Sequence, residues 1–256
     1  MTRVFISGST TGLGLIAGKQ LLAGGHDVIL HARNAERARD LERELVDSAL
    51  TSIVVGDLGT IVGALSLTAQ VNALKPVDAV IHNVGIGYGG SLRRTADGLP
   101  DIFAVNVLAP YILTARIKGP TRLVYLSSSM HRLAPNLDDA LWRDRRWNGA
   151  QAYSESKLYV TALAFAVARR RPEVRSNAVD PGWVPTRMGG RGAPDDLEAG
   201  VATQVALAAG EGDRLSDLSG QYLHHMEVSE PGRASRDVAL QERLLALCAD
   251  LSGVSL

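Results

Sequence analysis

The sequence predicts an α/β fold in which a parallel sheet carries helices on both faces, the doubly wound arrangement. Three observations predict it. Short apolar runs recur at regular spacing, at Val4 to Ser7, Val28 to His31, Ile53 to Val55, Val77 to Ile81, Leu123 to Ser127 and Val174 to Val179. A helical pattern follows each run. The runs are nearly continuous rather than alternating in polarity, as strands buried on both faces must be. One domain over residues 1–256 accounts for the whole length, with no linker, low-complexity tract or repeat beyond the β-α unit.

Composition narrows the function class. An apolar fraction of 46% is ample for a sizeable core. Twenty-seven basic residues balance 27 acidic ones, which argues against a nucleic-acid partner or an anionic membrane surface and for a small-molecule partner. The single cysteine, Cys248, cannot form an intramolecular disulfide, which fits a reducing compartment and predicts a cytoplasmic protein. Met1 to Ile6 enters a strand at once, leaving no room for a signal peptide before it. The apolar stretch Leu158 to Ala168 is too short to span a bilayer and reads as a buried helix.

After the first strand comes Ser7-Gly8-Ser9-Thr10-Thr11-Gly12-Leu13-Gly14, then a helix from about Leu13 to Ala23. Missing side chains let backbone amides approach a pyrophosphate, and the helix N-terminus supplies partial positive charge. Alone, three glycines are equally an ordinary tight turn. A second candidate lies far away in sequence. Tyr153 and Lys157, in Tyr153-Ser154-Glu155-Ser156-Lys157, are an i, i+4 pair that projects from one helix face. A free phenol with a pKa of about 10 is a poor base at neutral pH, so a nearby ammonium is needed to favour the phenolate. Alone, such a pair is a solvated surface feature.

Further segments close the other strands. They are Gly56-Asp57-Leu58, His82-Asn83-Val84-Gly85, the triplet Ser127-Ser128-Ser129, and Asp180-Pro181-Gly182-Trp183-Val184-Pro185-Thr186. Asn106 lies in an otherwise apolar helix, in Ala104-Val105-Asn106-Val107. Together with the glycine turn, where Ser7 takes the place of the usual threonine, they resemble the short-chain dehydrogenase/reductase family. The similarity runs through the chain and is nearest to its retinol-dehydrogenase-like and WW-domain-oxidoreductase-like members. His82 and Val84 depart from the family's N-N-A-G.

That resemblance implies a single Rossmann domain and an oxidoreductase that moves a hydride between a nicotinamide ring and a carbonyl or alcohol. It implies Tyr153 as general acid/base, its phenolate favoured by Lys157 together with the positive nicotinamide, and Lys157 as partner of the nicotinamide ribose. Ser128 would hold the substrate oxygen, with Ser127 and Ser129 as the neighbouring registers. Asn106 would kink its helix and hold a water in a proton relay. Gly8, Ser9, Thr10, Gly12 and Leu13 would surround the pyrophosphate; Asp57 and Leu58 the adenine; Asn83, Val84 and Gly85 the adenine ribose; Pro181, Gly182 and Val184 the carboxamide; and Thr186 would cap the cofactor. No metal is implied.

The second strand ends at Ala32, where an NAD enzyme carries an acidic residue, and Arg33 follows. A carboxylate would repel a 2'-phosphate whereas a guanidinium can pair with it, so NADP(H) is favoured over NAD(H). Two irregular stretches, Asn136 to Gly149 and Val184 to Pro194, should flank the site. The first contains an insertion, Leu137 to Trp147, whose tryptophans either line a substrate pocket or pack on the core. Family members pair through the Y-x-x-x-K helix, here about Tyr153 to Arg170, so Leu158, Ala162, Phe165, Ala166 and Ala168 predict a homodimer or higher homo-oligomer. A Rossmann fold alone does not establish chemistry. The alternative reading is therefore a non-catalytic NADP(H)-binding regulatory protein.

Overall fold

A computed structural model describes residues 1–45, 51–210 and 214–256. Strands β1 (Arg3–Ile6), β2 (Asp27–Ala32), β3 (Thr51–Val55), β4 (Ala79–His82), β5 (Arg122–Leu126), β6 (Arg175–Asp180), β7 (Tyr222–His224) and β8 (Glu227–Ser229) form one sheet in the order β3-β2-β1-β4-β5-β6-β7-β8. All neighbours are parallel except β7 and β8. The helices are α1 (Gly12–Ala23), α2 (Ala35–Glu44), α3 (Ile61–Ala73), α4 (Asp101–Phe103), α5 (Ala109–Arg116), α6 (Gly149–Arg170), α7 (Leu197–Ala209) and α8 (Val238–Ser252).

Alternate residues of each strand feed two separate cores. Val4, Ile6, Val28, Leu30 and Ile81 pack with Leu21 of α1 and Leu207 of α7. Phe5, Ile29 and Val80 pack with Leu67 of α3, Ile112 of α5, Leu163 of α6 and Leu244 of α8. Both faces are thus apolar, which is why the strand runs show no alternation. The order reverses between β1 and β4, so the chain leaves these neighbours toward opposite faces. A crevice opens at their carboxyl ends, where ligands bind in open α/β sheets.

The predicted doubly wound sheet is present, with adjustments at its edges. The apolar run at Val77 becomes strand only at Ala79. Strands β7 and β8, three residues each, were not anticipated, since segments that short and that polar carry no periodicity. Helix α6 begins at Gly149, where the Asn148 side chain accepts the Gln151 N–H at 3.1 Å, four residues before Tyr153. Between α4 and α5, residues Ala104–Leu108 widen into a π-helical turn that contains Asn106.

Helix α6 corrects one expectation. The face assigned to subunit pairing is covered by the chain's own α8 and by the turn before it. Leu158, Ala162 and Ala166 are fully buried, Phe165 is 5% exposed, and the Arg236 guanidinium lies 5.0 Å from the Phe165 ring centre. A homo-oligomer of this chain has to assemble through other surfaces.

The insertion packs against the core, with Trp142 also on the wall of a small cavity beside Ile102, Ala152 and Tyr159. Trp142 is buried against Ile102 and Ala152, edge-on to Trp147 at 4.9 Å, with the Arg145 guanidinium 3.6 Å from its ring centre. Arg145 also grips the buried Glu155 of α6 through both carboxylate oxygens, at 2.7 and 2.5 Å. Glu155 side-chain exposure is 2%, so removing the guanidinium strands a carboxylate inside the protein. Arg145→Ala is expected to lower unfolding free energy by about 3 kcal/mol or more, measured by urea denaturation. A loss below about 1 kcal/mol, the scale of an exposed pair, would contradict this account.

Candidate active site

The glycine turn is held from below by the end of β4 and from the side by the end of β2. Asn83 donates from Nδ2 to the carbonyl oxygens of Ser7 (3.0 Å) and Gly8 (2.8 Å), and Val84 N–H donates to Ser7 Oγ. Gly8 N–H donates to His31 Nδ1 at 2.9 Å, while Ser9 Oγ accepts the His31 N–H at 2.7 Å. Close approach explains the glycines. Gly8 has φ +67°, and a Cβ there would lie 2.8 Å from Val84 Cα; at Gly14 a Cβ would fall 2.4 Å from Asn83 Nδ2. Helices α2, α3, α6, α7 and α8 are capped by side-chain oxygens, but Thr11 supplies none to α1. The first-turn amides of α1 therefore face the crevice uncapped, with their partial positive charge.

Tyr153, Ser128, Lys157 and Asn106 come together beyond the carboxyl ends of β4 and β5. The Lys157 ammonium donates to the Leu126 carbonyl at 2.8 Å and lies 5.6 Å from the Tyr153 ring centre. Burial pushes its pKa down to about 8, partly opposed by the negative charge of Asp180. Asn106 uses its whole amide. Oδ1 accepts Ile86 N–H at 2.9 Å, and Nδ2 donates to Ile86 O at 3.1 Å and to Ser156 Oγ at 3.0 Å. With these three bonds Asn106 fixes the loop after β4 to α6.

The serine triplet sorts by environment. Ser127 is buried with its hydroxyl 2.7 Å from Thr161 Oγ1, and Ser129 opens the short 3-10 turn Ser129–His131. Ser128 is the member whose side chain interacts with the Tyr153 hydroxyl. Tyr153 is buried. Its pKa is pushed up to about 12, chiefly by burial, with Ser128 acting in the opposite direction. The desolvation penalty outweighs any help from the lysine, so the ligand-free phenol is protonated at neutral pH.

The other assigned residues occupy the same end of the sheet. Gly12 faces Thr186, whose Cγ2 would lie 3.6 Å from a Cβ there, and Val184 is buried beside Gly200 of α7. Leu13 touches Gly200 from α1, and Gly85 lies beside Asn106 and Lys157. Leu58 is buried in the core, while Thr10 is part-exposed on the turn. Pro181 and Gly182 shape the loop after β6, where Gly182 N–H donates to Asp180 Oδ1 at 3.0 Å. Arg33 and Asp57, assigned to opposite ends of an adenosine, bind each other at 3.0 Å. Both are exposed, so this pair contributes at most about 1 kcal/mol and can be exchanged for another anion.

Three neighbours escaped the sequence reading. Tyr88 tilts over Tyr153 with ring centres 5.4 Å apart, and Met188 brings Sδ to 3.9 Å from the Tyr153 hydroxyl. Both lie in Gly-rich loops after strands, where periodicity is silent. Asp180 stands inside the motif at the end of β6, yet its buried carboxylate, which accepts from Tyr222 at 3.0 Å, was given no role.

The fold and this cluster define a nucleotide-binding α/β oxidoreductase. A family model described as short chain dehydrogenase matches residues 2–119. The short-chain dehydrogenase chyC of Penicillium rubens is 39% identical over 261 residues, covering 100% of this chain and 99% of the relative. The short-chain dehydrogenase chry4 of Gibberella zeae is 37% identical over the same shares. Human retinol dehydrogenase 13 is 26% identical, over 98% of this chain and 84% of its own. The chain belongs to the short-chain dehydrogenase family. Among solved structures, a Mycobacterium paratuberculosis protein superposes with a TM-score of 0.84 at 23% identity, covering 100% of this chain and 94% of that one. An NADPH-bound carbonyl reductase from chicken fatty liver gives 0.68 at 21%, covering 90% and 99%. Among the described residues no helix is long and apolar enough to cross a membrane.

Proposed function

We propose that residues 1–256 act as one nucleotide-binding domain that reduces a carbonyl, or oxidises the corresponding alcohol, with NADP(H) as the favoured cofactor. The observation that carries this reading is the convergence of a buried phenol, a serine and a buried lysine beside a glycine cradle that admits no side chain. The residues fit the cofactor. Gly8, Ser9, Thr10, Gly12 and Leu13 would hold its pyrophosphate at the uncapped start of α1, Arg33 its 2'-phosphate, Asp57 and Leu58 its adenine, and Asn83, Val84 and Gly85 its adenine ribose. Lys157 would hold the second ribose, while Pro181, Gly182, Val184 and Thr186 would close over the carboxamide. When bound, the cofactor supplies or accepts a hydride.

The chain's own groups manage the oxygen and its proton. Ser128 donates a hydrogen bond to the carbonyl oxygen, where negative charge develops. Tyr153 gives that oxygen its proton, and in the reverse direction takes it back. A phenol held protonated at neutral pH suits the donor role in reduction. Lys157 stays charged below about pH 8 and stabilises the phenolate left behind. The lone thiol, Cys248, is buried and held neutral by burial, consistent with a cytoplasmic setting. The partner is a small carbonyl or alcohol.

The first test is NADPH and NADH oxidation against ketones, aldehydes, quinones and retinoid-like carbonyls. Turnover is expected, and Tyr153→Phe should abolish it while leaving the NADPH Kd almost unchanged, since only the transferable proton is lost. Tight NADPH binding without turnover across the panel would favour the regulatory alternative. Arg33→Ala should raise the Kd for NADPH about tenfold or more with NADH unaffected; equal losses would remove the guanidinium from the 2'-phosphate. Lys157 titrates below its ordinary value of 10.5, so its charge is present at neutral pH and lost as pH rises through about 8. The kcat/KM for NADPH, which reports free-enzyme groups, should fall across that range, and a profile flat to pH 10 would contradict it.

A further inference from the structure

Where the site meets the C-terminal part of the chain, His131 is fully buried and uses both ring nitrogens. Nδ1 lies 2.6 Å from the carbonyl oxygen of Ser128, and Nε2 accepts the backbone N–H of Gly232 at 2.7 Å. A peptide N–H can only donate, so Nε2 carries no proton and the neutral ring holds its hydrogen on Nδ1, aimed at Ser128. Burial acts in the same direction by disfavouring the charged imidazolium. The ring lies tilted against Tyr222 with centres 4.5 Å apart, and the Tyr222 hydroxyl donates to Asp180 Oδ2 at 3.0 Å. One side chain thus joins the ends of β5, β6 and β7.

Without the ring, little holds the serine's peptide. Ser128 is in extended backbone just ahead of a three-residue 3-10 turn, an intrinsically weak element. Its carbonyl accepts one other hydrogen bond, from the His131 N–H at 3.1 Å, and its hydroxyl accepts the Met130 N–H at 3.3 Å. Both come from the turn itself, whose C-cap residue, Arg132, also donates to the Glu230 carbonyl. The imidazole ties that turn to Gly232, whose own carbonyl is gripped by Ser235 N–H and Oγ ahead of α8.

We propose that His131 is a positioning residue for Ser128. Its Nδ1–H sets the peptide plane that presents the Ser128 hydroxyl to Tyr153, and Gly232 fixes the tautomer that lets it do so. The proposal rests on the reading of Ser128 as the group that binds the substrate oxygen. It brings the Tyr222 to Gly232 segment into the site, although that segment carries none of the family's motifs.

Two variants divide the ring's contacts. His131→Asn retains an N–H where Nδ1 was and loses the Gly232 contact; His131→Gln retains an acceptor toward Gly232 and loses the donor to Ser128. With NADPH and menadione, His131→Gln is expected to lower kcat about tenfold to a hundredfold, the scale of misplacing a catalytic group by about an ångström, with the NADPH Kd unchanged. His131→Asn should stay within about threefold of wild type, because the donor to Ser128 is restored. Equal kcat values for the two variants, whether both high or both low, overturn the proposal.

Two further measurements separate it from the reading beneath it. Wild-type turnover retained in Ser128→Ala removes the serine from the mechanism, whatever His131 does. No wild-type turnover of menadione or any carbonyl of the panel defeats the reductase reading itself, and the proposal with it. Isotope-labelled histidine NMR of the ligand-free protein needs no substrate. It should show His131 neutral with its proton on Nδ1, and a proton on Nε2 would overturn the proposal directly.

Discussion

Helix α6 has to lie buried along most of its length while carrying a cation on one side and a carboxylate on the other, and much of the structure answers to that demand. Lys157 is accommodated by the Leu126 carbonyl at the end of β5, which also fixes the helix against the sheet. Glu155, two residues away and facing elsewhere, is accommodated by Arg145. An isolated charge in either place would cost several kcal/mol. The insertion after β5 therefore does more than lengthen a loop: it delivers the guanidinium that lets α6 be buried.

The same burial sets the chemistry. Desolvation raises Tyr153 and lowers Lys157, so at neutral pH the ligand-free site holds a neutral phenol beside a lysine that is still charged but titrates at about 8. The spacing of Tyr153 and Lys157 reveals the charge partner but not the loss of water, which acts on both groups. His82 is a parallel case. It stands where the family resemblance expects an asparagine, yet it stacks on Tyr125 at 4.4 Å and burial drops its pKa to about 3, which makes it a neutral core residue.

The site also has an architecture that no single segment reveals. Asn83 binds the glycine turn from β4, His31 binds it from β2, and Asn106 joins the loop after β4 to α6. Side chains that look like ligand contacts in sequence are here the fasteners between the loops that would make those contacts. Arg33 and Asp57 show a related ambiguity, since each satisfies the other in the absence of an anion.

Much of this was legible in the sequence. The six apolar runs determined a parallel sheet because strands covered on both faces must be apolar throughout, and the glycine turn and the Tyr153–Lys157 spacing are local geometries that the residues themselves enforce. Strands β7 and β8 were not legible, being too short to show a period, and neither was the burial of Phe165 and its neighbours, which depends on where α8 returns. Tertiary structure alone decided that Trp142 packs against Ile102 and Ala152, and that His131 reaches from Ser128 to Gly232. The physical reason is one of range. Backbone conformation and helical spacing are encoded between near neighbours, whereas burial, protonation and long-range hydrogen bonds exist only once distant segments exclude water from one another.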